Sequence, residues 1–286
     1  MLDFYVKKAN GEKEVFYYRK LEDSLRNIGA SDEVVKEIIA EINSYVRDGI
    51  TTNEIYKKAF SILKKRQKAV AVRYSLKRAV AMLGPTGFPF EKYVAEIFKI
   101  QGYETLNGII VHGKCAEHEI DVVAWKGDKL IFVEAKFHTD FGAKSDLKVA
   151  LYVKARYDDI LGLKFTFGGK ERILNEGWLI TNTKFSTAAI EYGECQRLNM
   201  VGWNYPFGNN LHNMIERDEL IPLTALTSIT TAEKNKLLAQ GIVLSKNLLD
   251  EKLLKDQMFF DDIKIKKIKE EILMLCEHCR VQFAQK

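Results

Sequence analysis

Between Gly84 and Pro89 the sequence changes its period, and this change limits what the chain can become. The run Gly84-Pro85-Thr86-Gly87-Phe88-Pro89 holds two of the four prolines. Proline lacks an amide donor and glycine resists helix, so a helical pattern stops here. Before this run the apolar residues recur at helical spacing. Leu21, Leu25 and Ile28 mark one helix, and Val34, Val35, Ile38, Ile39, Ile42 and Val46 mark a second, entered through Ser31 as N-cap. Thr51 and Glu54 have capping-box spacing at the head of a third, which carries Ile55, Ala59 and Ile62. Ahead of these, residues 3–8 and 13–18 flank Asn10-Gly11, a favoured turn pair, and read as a short hairpin.

After the boundary the order is a helix over 89–101, β-rich sequence to about 137, and helix alternating with strand to about 204. That order predicts an α/β domain. A short helical segment follows from about 218. Thr230 and Glu233 box its first clear helix, Gly241 stops it, and the charged tail from Asp261 reads as one helix. There is no internal repeat and no low-complexity linker.

Composition narrows the setting. The 286 residues are 47% hydrophobic, enough for a buried core, and carry a net charge of +5. A mild positive balance suits a nucleic-acid partner without requiring one. No apolar run approaches the roughly 18 residues that span a bilayer, so no membrane partner is expected. Met1 to Lys8 is too short and polar for a signal peptide. Four cysteines in this length do not make a disulfide framework, and the expectation is a cytoplasmic protein with free thiols. Cys276-Glu277-His278-Cys279 invites a zinc reading, but a structural zinc takes four ligands and Cys115 and Cys195 stand alone. Thiols on a terminal helix are the simpler reading.

The chemistry concentrates between His118 and His138. Glu119-Ile120-Asp121-Val122-Val123-Ala124-Trp125 and Leu130-Ile131-Phe132-Val133-Glu134-Ala135-Lys136-Phe137 are strand-like, joined by Lys126-Gly127-Asp128-Lys129. With Gly127 and Asp128 as the turn residues, Asp121 falls opposite Glu134 and Glu119 opposite Lys136. Alternation puts Glu134 and Lys136 on one face. Two carboxylates and an ammonium then share a patch. Close carboxylates repel, and a hard cation such as Mg²⁺ relieves the repulsion through oxygen ligands. Such an ion polarises a phosphoryl oxygen and supplies hydroxide, while Lys136 orients the water or stabilises charge on the phosphate. A solvated surface hairpin is the bland alternative. Acids set among Ile120, Val122, Val123, Ile131, Phe132 and Val133 speak for a site instead.

These residues resemble the PD-(D/E)xK nuclease superfamily, in particular the Mrr-type restriction endonucleases, over roughly residues 86–206. The carrying residues are Phe90-Glu91 on a helix ahead of Gly102-Tyr103, then Glu119-Ile120-Asp121, then Glu134-Ala135-Lys136. Leu179 to Ser186, followed by Trp203-Asn204-Tyr205-Pro206, resembles the later part of such domains, a fourth strand, a helix and a further strand. Ile120 stands where the superfamily motif has proline. By resemblance, Asp121 and Glu134 bind the metal, Mg²⁺ or Mn²⁺, Glu91 assists at the metal, and Lys136 serves the attacking water. Glu96, on the same helix as Glu91, reads as a solvent-facing charge. A helix over 143–160 carries Lys144, Lys148, Lys154 and Arg156, of which Lys148 or Arg156 meets phosphate if the helix borders the site. His138 reads as a loop-side polar residue.

Residues 3–82 resemble an ATP-cone, the nucleotide-sensing domain of ribonucleotide reductases and of the repressor of their genes. The matching pieces are Val6-Lys7-Lys8-Ala9-Asn10-Gly11, Phe16 with Lys20-Leu21 and Ser24-Leu25, Gly29-Ala30-Ser31, Asp48-Gly49-Ile50-Thr51-Thr52 with Ile55-Tyr56, and Val72-Arg73-Tyr74-Ser75-Leu76. The resemblance implies ATP or dATP bound under a hairpin lid, with Val6, Lys8, Lys20 and Thr52 at the nucleotide. Ala9 stands where cones typically carry a second basic residue. Residues 219–250 faintly resemble a helix-hairpin-helix DNA-binding unit but lack its Gly-hydrophobic-Gly hairpin, and a helical cap on the nuclease core is preferred.

The expected architecture is therefore α/β plus α: a mostly helical cone with a hairpin lid (1–83), a restriction-endonuclease-like core with a mixed sheet (86–206), and a small helical C-terminal region (207–286). The expected function is a metal-dependent DNA endonuclease tuned by ATP or dATP, with DNA as partner and a homo-oligomer as one way to couple the two. The alternative is a nucleotide-sensing DNA-binding regulator with an inert core.

Overall fold

The structure is a computed structural model that describes residues 4–8, 11–140, 142–256 and 260–276. The expectations placed on Ala9, Asn10, His278 and Cys279 fall outside those residues. The chain divides into two compact units, Met1–Leu76 and Lys77–Lys286.

In the first unit, β1 (Tyr5–Lys7) and β2 (Lys13–Val15) pair antiparallel, Val6 against Glu14. Helices α1 (Tyr18–Asn27), α2 (Asp32–Tyr45) and α3 (Thr52–Arg66) follow, and α4 (Lys68–Ala81) begins here and ends in the second unit. Ser31 caps α2 by accepting from the Val34 N–H. Thr51 and Glu54 form both halves of a capping box on α3. Caps of this kind contribute about 1 kcal/mol each. Leu25, Ile38, Ile42, Ala59 and Leu63 are fully buried in the shared core. Each of the larger ones stabilises by roughly 1.5–3 kcal/mol over exposure. A parallel bridge joins Lys7 to Thr51, with the Lys7 N–H on the Ile50 carbonyl at 2.9 Å, so β1 runs along the start of α3.

The second unit opens with α5 (Phe88–Ile100), β3 (Glu104–His112), β4 (Glu117–Lys126) and β5 (Lys129–Lys136). Then come β6 (Lys144–Ser145), α6 (Leu147–Ile160), β7 (Lys164–Phe167), β8 (Lys170–Ile173), β9 (Glu176–Thr181), β10 (Lys184–Phe185), α7 (Thr187–Cys195) and β11 (Asn199–Val201). A five-stranded sheet has the order β11-β9-β5-β4-β3. β3, β4 and β5 form an antiparallel meander, while β5, β9 and β11 are parallel. The mixed sheet matches the α/β expectation. Gly127 takes the positive φ of 58° at the first hairpin position, and Lys126 partners Lys129.

Two details differ from the sequence reading. The expected helix over 143–160 starts at Leu147, because the Asp146 carboxylate caps it through the Val149 N–H; Lys144 lies instead on β6, which pairs parallel with β10. Helix–strand alternation is also interrupted by the β7–β8 hairpin, whose Phe165 and Phe167 pack on Phe132 and Trp125. That hairpin covers the apolar face of the meander.

The C-terminal stretch is helical: α8 (Leu211–Arg217), a 3₁₀ turn at Leu223–Ala225, α9 (Thr231–Ala239), a second turn at Ser245–Leu249, α10 (Glu251–Asp256) and α11 (Asp262–Leu275). The Thr230–Glu233 capping box forms as its spacing predicts, and Gly241 has φ of 80°. This stretch is tied to α5 by the buried Tyr93 hydroxyl, which donates to the Leu220 carbonyl at 2.6 Å. Glu271 of α11 accepts from Thr227 and Ser228. Among the described residues, no helix is long and apolar enough to cross a membrane.

Candidate active site

The site forms where β4 is released by both neighbours. The β3–β4 ladder is continuous from Glu104↔Trp125 to His112↔Glu117 except at Gly108, the position facing Asp121. Gly108 takes φ of 62°, a conformation that disfavours other residues, and steps out of the ladder. The Asn107 amide fills in, donating to the Asp121 carbonyl at 3.0 Å and to the Glu91 carbonyl at 3.2 Å. On the other side the β4–β5 ladder stops at Val122↔Val133. The expected register is present, but it ends one pair short of Asp121 and Glu134, and Glu119 partners Ile110 rather than Lys136. There the Asp121 carboxylate takes the Ala135 N–H at 2.7 Å. The sequence reading does not single out Asn107; its one signal is an Asn-Gly pair inside a strand.

Glu134 and Lys136 leave β5 on one side of the sheet, and Glu91 reaches the same place from the first turn of α5. Glu91, Asp121, Glu134 and Lys136 line one open depression of about 500 Å³, together with Pro85, Gly87, His138 and Asp140. The boundary segment at Gly84–Pro89 is thus part of the wall. Gly84 packs so closely on Phe137 that an added Cβ would lie 2.3 Å from the ring. Glu96 is not in the depression and pairs with Lys99 at 2.7 Å.

Electrostatics mark the depression as short of positive charge. Burial first, and the Glu134 charge second, push Asp121 up from 3.8 to about 7. Burial, then Glu119 and Glu134, raise Glu91. Glu134 is held by the Arg156 guanidinium, which also donates to the Glu119 carbonyl. Helix α6 therefore borders the site, and Arg156 supplies the cation nearest the acids. In this arrangement, among the described residues, no group of three or more His, Cys, Asp or Glu side chains comes together tightly enough to hold a metal ion. Asp121 and Glu134 each have one oxygen already engaged, by Ala135 and by Arg156.

Behind the depression lies a buried polar network. His138 Nε2 meets Ser145 Oγ at 3.0 Å, Ser145 donates to Thr181, and Thr181 meets Thr183. The His138 and Asn182 backbone and side-chain groups exchange two further bonds. Burial, then the Lys136 charge, lowers the His138 pKa. His138 is more than a loop-side polar residue, since it joins β5 to the β6–β10 pair.

In the first unit, Val6 is buried in the hairpin, Lys8 and Thr52 directly follow the bridged Lys7 and Thr51, and Lys20 lies on α1. Lys8 and Lys20 meet on one carboxylate, Glu14, with Lys20 at 2.9 Å. The hydrogen bonds from Lys8 and then Lys20 lower Glu14 to about 2.

Comparison with known proteins finds relatives for both the core and the C-terminal region. The restriction endonuclease family matches residues 84–204, and the family described as AF1548-like, C-terminal, matches residues 222–276. An uncharacterized protein of Archaeoglobus fulgidus is 33% identical over 156 residues, 54% of this chain and 83% of its own length. The chain belongs to the AF1548-like family. The crystal structure of AF1548, a protein of unknown function, is similar with a TM-score of 0.52 and 28% identity, over 66% of this chain and 96% of that one. The restriction endonuclease MspJI in complex with a 27-mer oligonucleotide gives a TM-score of 0.31 and 14% identity, over 66% of this chain and 35% of its own, too distant to carry an inference. Residues 84–204 of this AF1548-like chain are a restriction-endonuclease-like domain, followed by a helical region that the family shares.

Proposed function

We propose that this AF1548-like protein hydrolyses phosphodiester bonds of DNA in the depression lined by Glu91, Asp121, Glu134 and Lys136, with Mg²⁺ or Mn²⁺ held by Asp121 and Glu134 and assisted by Glu91. The observation that carries the reading is the meeting of three carboxylates and one ammonium in a single open pocket, inside a restriction-endonuclease-like domain. The residues fit a hard divalent cation by charge and donor type. Asp121 is pushed to about 7 because too much negative charge is gathered out of water, and carboxylate oxygens are the donors such an ion prefers. A bound ion supplies Lewis acidity toward the phosphoryl oxygen and lowers the pKa of a coordinated water.

The protein's own residues do the rest. Ala135 and Asn107 fix where the Asp121 carboxylate and backbone point. Lys136, exposed at the rim, is suited to orient the attacking water and to stabilise charge gathering on the phosphate. Arg156 neutralises Glu134 before substrate arrives. The test is cleavage of plasmid, linear and methylated DNA with and without Mg²⁺. Asp121→Ala and Lys136→Ala are expected to abolish cutting while circular dichroism stays unchanged. Normal cutting by purified Asp121→Ala protein removes the assignment.

We further propose that the first unit binds ATP or dATP through Val6, Lys8, Lys20 and Thr52 and tunes cleavage, a change of oligomeric state being the coupling. The support is that Lys8 and Lys20 converge on one anionic group, and that Thr52, first residue of α3, follows Thr51, which bridges to the neighbour of Lys8, Lys7; two ammonium groups and a helix start suit phosphate. Calorimetric titration with ATP and dATP, with sedimentation of the loaded protein, tests it.

A further inference from the structure

We infer that the edge of the sheet running from the depression to Phe207 is a docking surface for DNA that carries an unpaired base, with Lys144 and Lys184 holding its phosphates and Phe207 stacking on the base. The inference rests on the nuclease reading only for naming the polyanion as DNA.

The surface starts at β6 and β10. Lys144 and Lys184 are direct partners in that parallel pair, and Ser145 and Phe185 are the next pair. Alternation turns Ser145 and Phe185 inward, where both are buried, and Lys144 and Lys184 outward, where both are exposed. Directly partnered side chains of like charge repel. Neither lysine has an ion-pair partner among the described residues. The charge of Lys184 also reaches Lys77, whose pKa is lowered by burial first and by Lys184 second. The neighbouring Asp146 carboxylate turns back to the Val149 N–H of α6. Uncompensated positive charge on a paired two-strand platform suits successive phosphates of a backbone.

The platform is continuous with the depression on one side. Ser145 meets His138, which lines the depression with Lys136. On the other side the Thr183 carbonyl accepts the Trp203 N–H at 2.7 Å, Gly202 bridges to Tyr205, and the Phe185 and Tyr205 rings lie 6.1 Å apart. Two residues beyond Tyr205 comes Phe207, which is fully exposed. Lys136, Thr181 and Val201 end the parallel strands β5, β9 and β11, so depression, lysine pair and Phe207 share one edge.

A polyanion with flat apolar faces satisfies both features at once. Bases present π-faces to aromatic side chains, and such stacking tolerates any sequence. In an intact duplex those faces are covered by neighbouring bases, so Phe207 selects DNA in which a base is unpaired, as in a bulge, a gap or a single strand.

The experiment is fluorescence anisotropy of the full chain in EDTA, where nothing is cut, with three DNAs (a duplex, the same duplex with a one-base bulge, and a single strand) and with the RNA that matches the single strand. The bulge and the single strand carry 2-aminopurine. Wild type is expected to prefer the bulge and to change 2-aminopurine fluorescence. Phe207→Ala is expected to lose roughly tenfold on the bulge with no change on the duplex. Lys144→Ala/Lys184→Ala is expected to weaken all three DNAs and to reduce the slope of log affinity against log salt by about 2. Equal wild-type affinity for bulge and duplex, with unchanged fluorescence, overturns the stacking role. An unchanged salt slope in the lysine variant overturns the phosphate role. Tighter, equally lysine- and Phe207-dependent binding of the matching RNA overturns DNA as the occupant. If these dependences hold while wild type cuts none of the DNAs with Mg²⁺, the nuclease reading fails and the surface stands. If wild type cuts and the variants bind as wild type does, the surface alone fails.

Discussion

The Asp121 carboxylate accepts the Ala135 N–H at 2.7 Å at the point where β4 and β5 stop pairing. One bond therefore performs two tasks. It closes the hairpin ladder in place of a backbone carbonyl, and it aims a carboxylate into the depression. An Asp serves both because its side chain is short enough to imitate the lost carbonyl.

This placement predicts an unusual pH dependence. Asp121 is raised from 3.8 to about 7, so in the cation-free protein its native form prefers the proton. Its contribution to stability is fully present below about pH 4 and is lost as pH climbs through 7. A rise of that size corresponds to about 4 kcal/mol. Asp121→Asn keeps an oxygen for Ala135 and carries no charge. In EDTA the variant is expected to exceed wild type in thermal stability at pH 8 and to match it near pH 4. Mg²⁺ is expected to stabilise wild type at pH 8 and not the variant. Melting temperatures that run parallel in the two proteins across pH 4–8 would contradict a raised Asp121.

Arg156 and Glu134 form the second testable relationship. Both are mostly buried, with side-chain exposures of 15% and 23%. Removing one partner of such a pair leaves the other charge poorly solvated, and an intermediate exposure puts the cost at about 1–3 kcal/mol. Arg156→Gln is expected to melt lower than wild type in EDTA, and Mg²⁺ to recover more of that loss than it adds to wild type. Differential scanning calorimetry with and without Mg²⁺ measures both. Equal gains from Mg²⁺ in the two proteins would show that Arg156 does not stand in for a cation on Glu134.

The sequence displays the restriction-endonuclease-like core and the helix starts on either side of it because their signals are local. The hairpin turn at Gly127-Asp128, the apolar alternation around Asp121 and Glu134, and the capping boxes at Thr51 and Thr230 are each decided within a few residues. What stays hidden depends on distant chain segments. The gap at Gly108 has meaning only once Asp121 is known to face it. The role of Arg156 depends on α6 crossing beside β5, and the His138–Ser145–Thr181 network joins three segments far apart in sequence. Helical spacing continues smoothly across residues 143–160 and masks the strand at Lys144; a two-residue pairing with Lys184 leaves no periodic trace.

The buried Tyr93 hydroxyl donates to the Leu220 carbonyl at 2.6 Å and links α5, which carries Glu91, to the helical C-terminal region. Tyr93→Phe preserves the ring and leaves that carbonyl without its partner. An unsatisfied buried acceptor costs about 1–3 kcal/mol, so urea denaturation is expected to shift to lower midpoint with an unchanged slope. A shift within error would mean that water reaches the Leu220 carbonyl and that the two parts are less tightly joined than this bond implies.

The last prediction concerns Glu14, which holds Lys8 and Lys20. If those lysines receive nucleotide phosphates, Glu14 competes with the ligand for the same two ammonium groups. Glu14→Gln removes the competitor's charge and is expected to tighten ATP or dATP binding several-fold, whereas Lys20→Ala weakens it. A purely structural Glu14 gives the opposite order, because freeing the lysines would loosen the hairpin and lower affinity. Calorimetric titration of the three proteins with each nucleotide decides between them. Loss of an acid beside an anion site raises affinity and loss of a lysine lowers it when both groups act on the incoming phosphate through their charge, whereas a hairpin brace lost at either position lowers it.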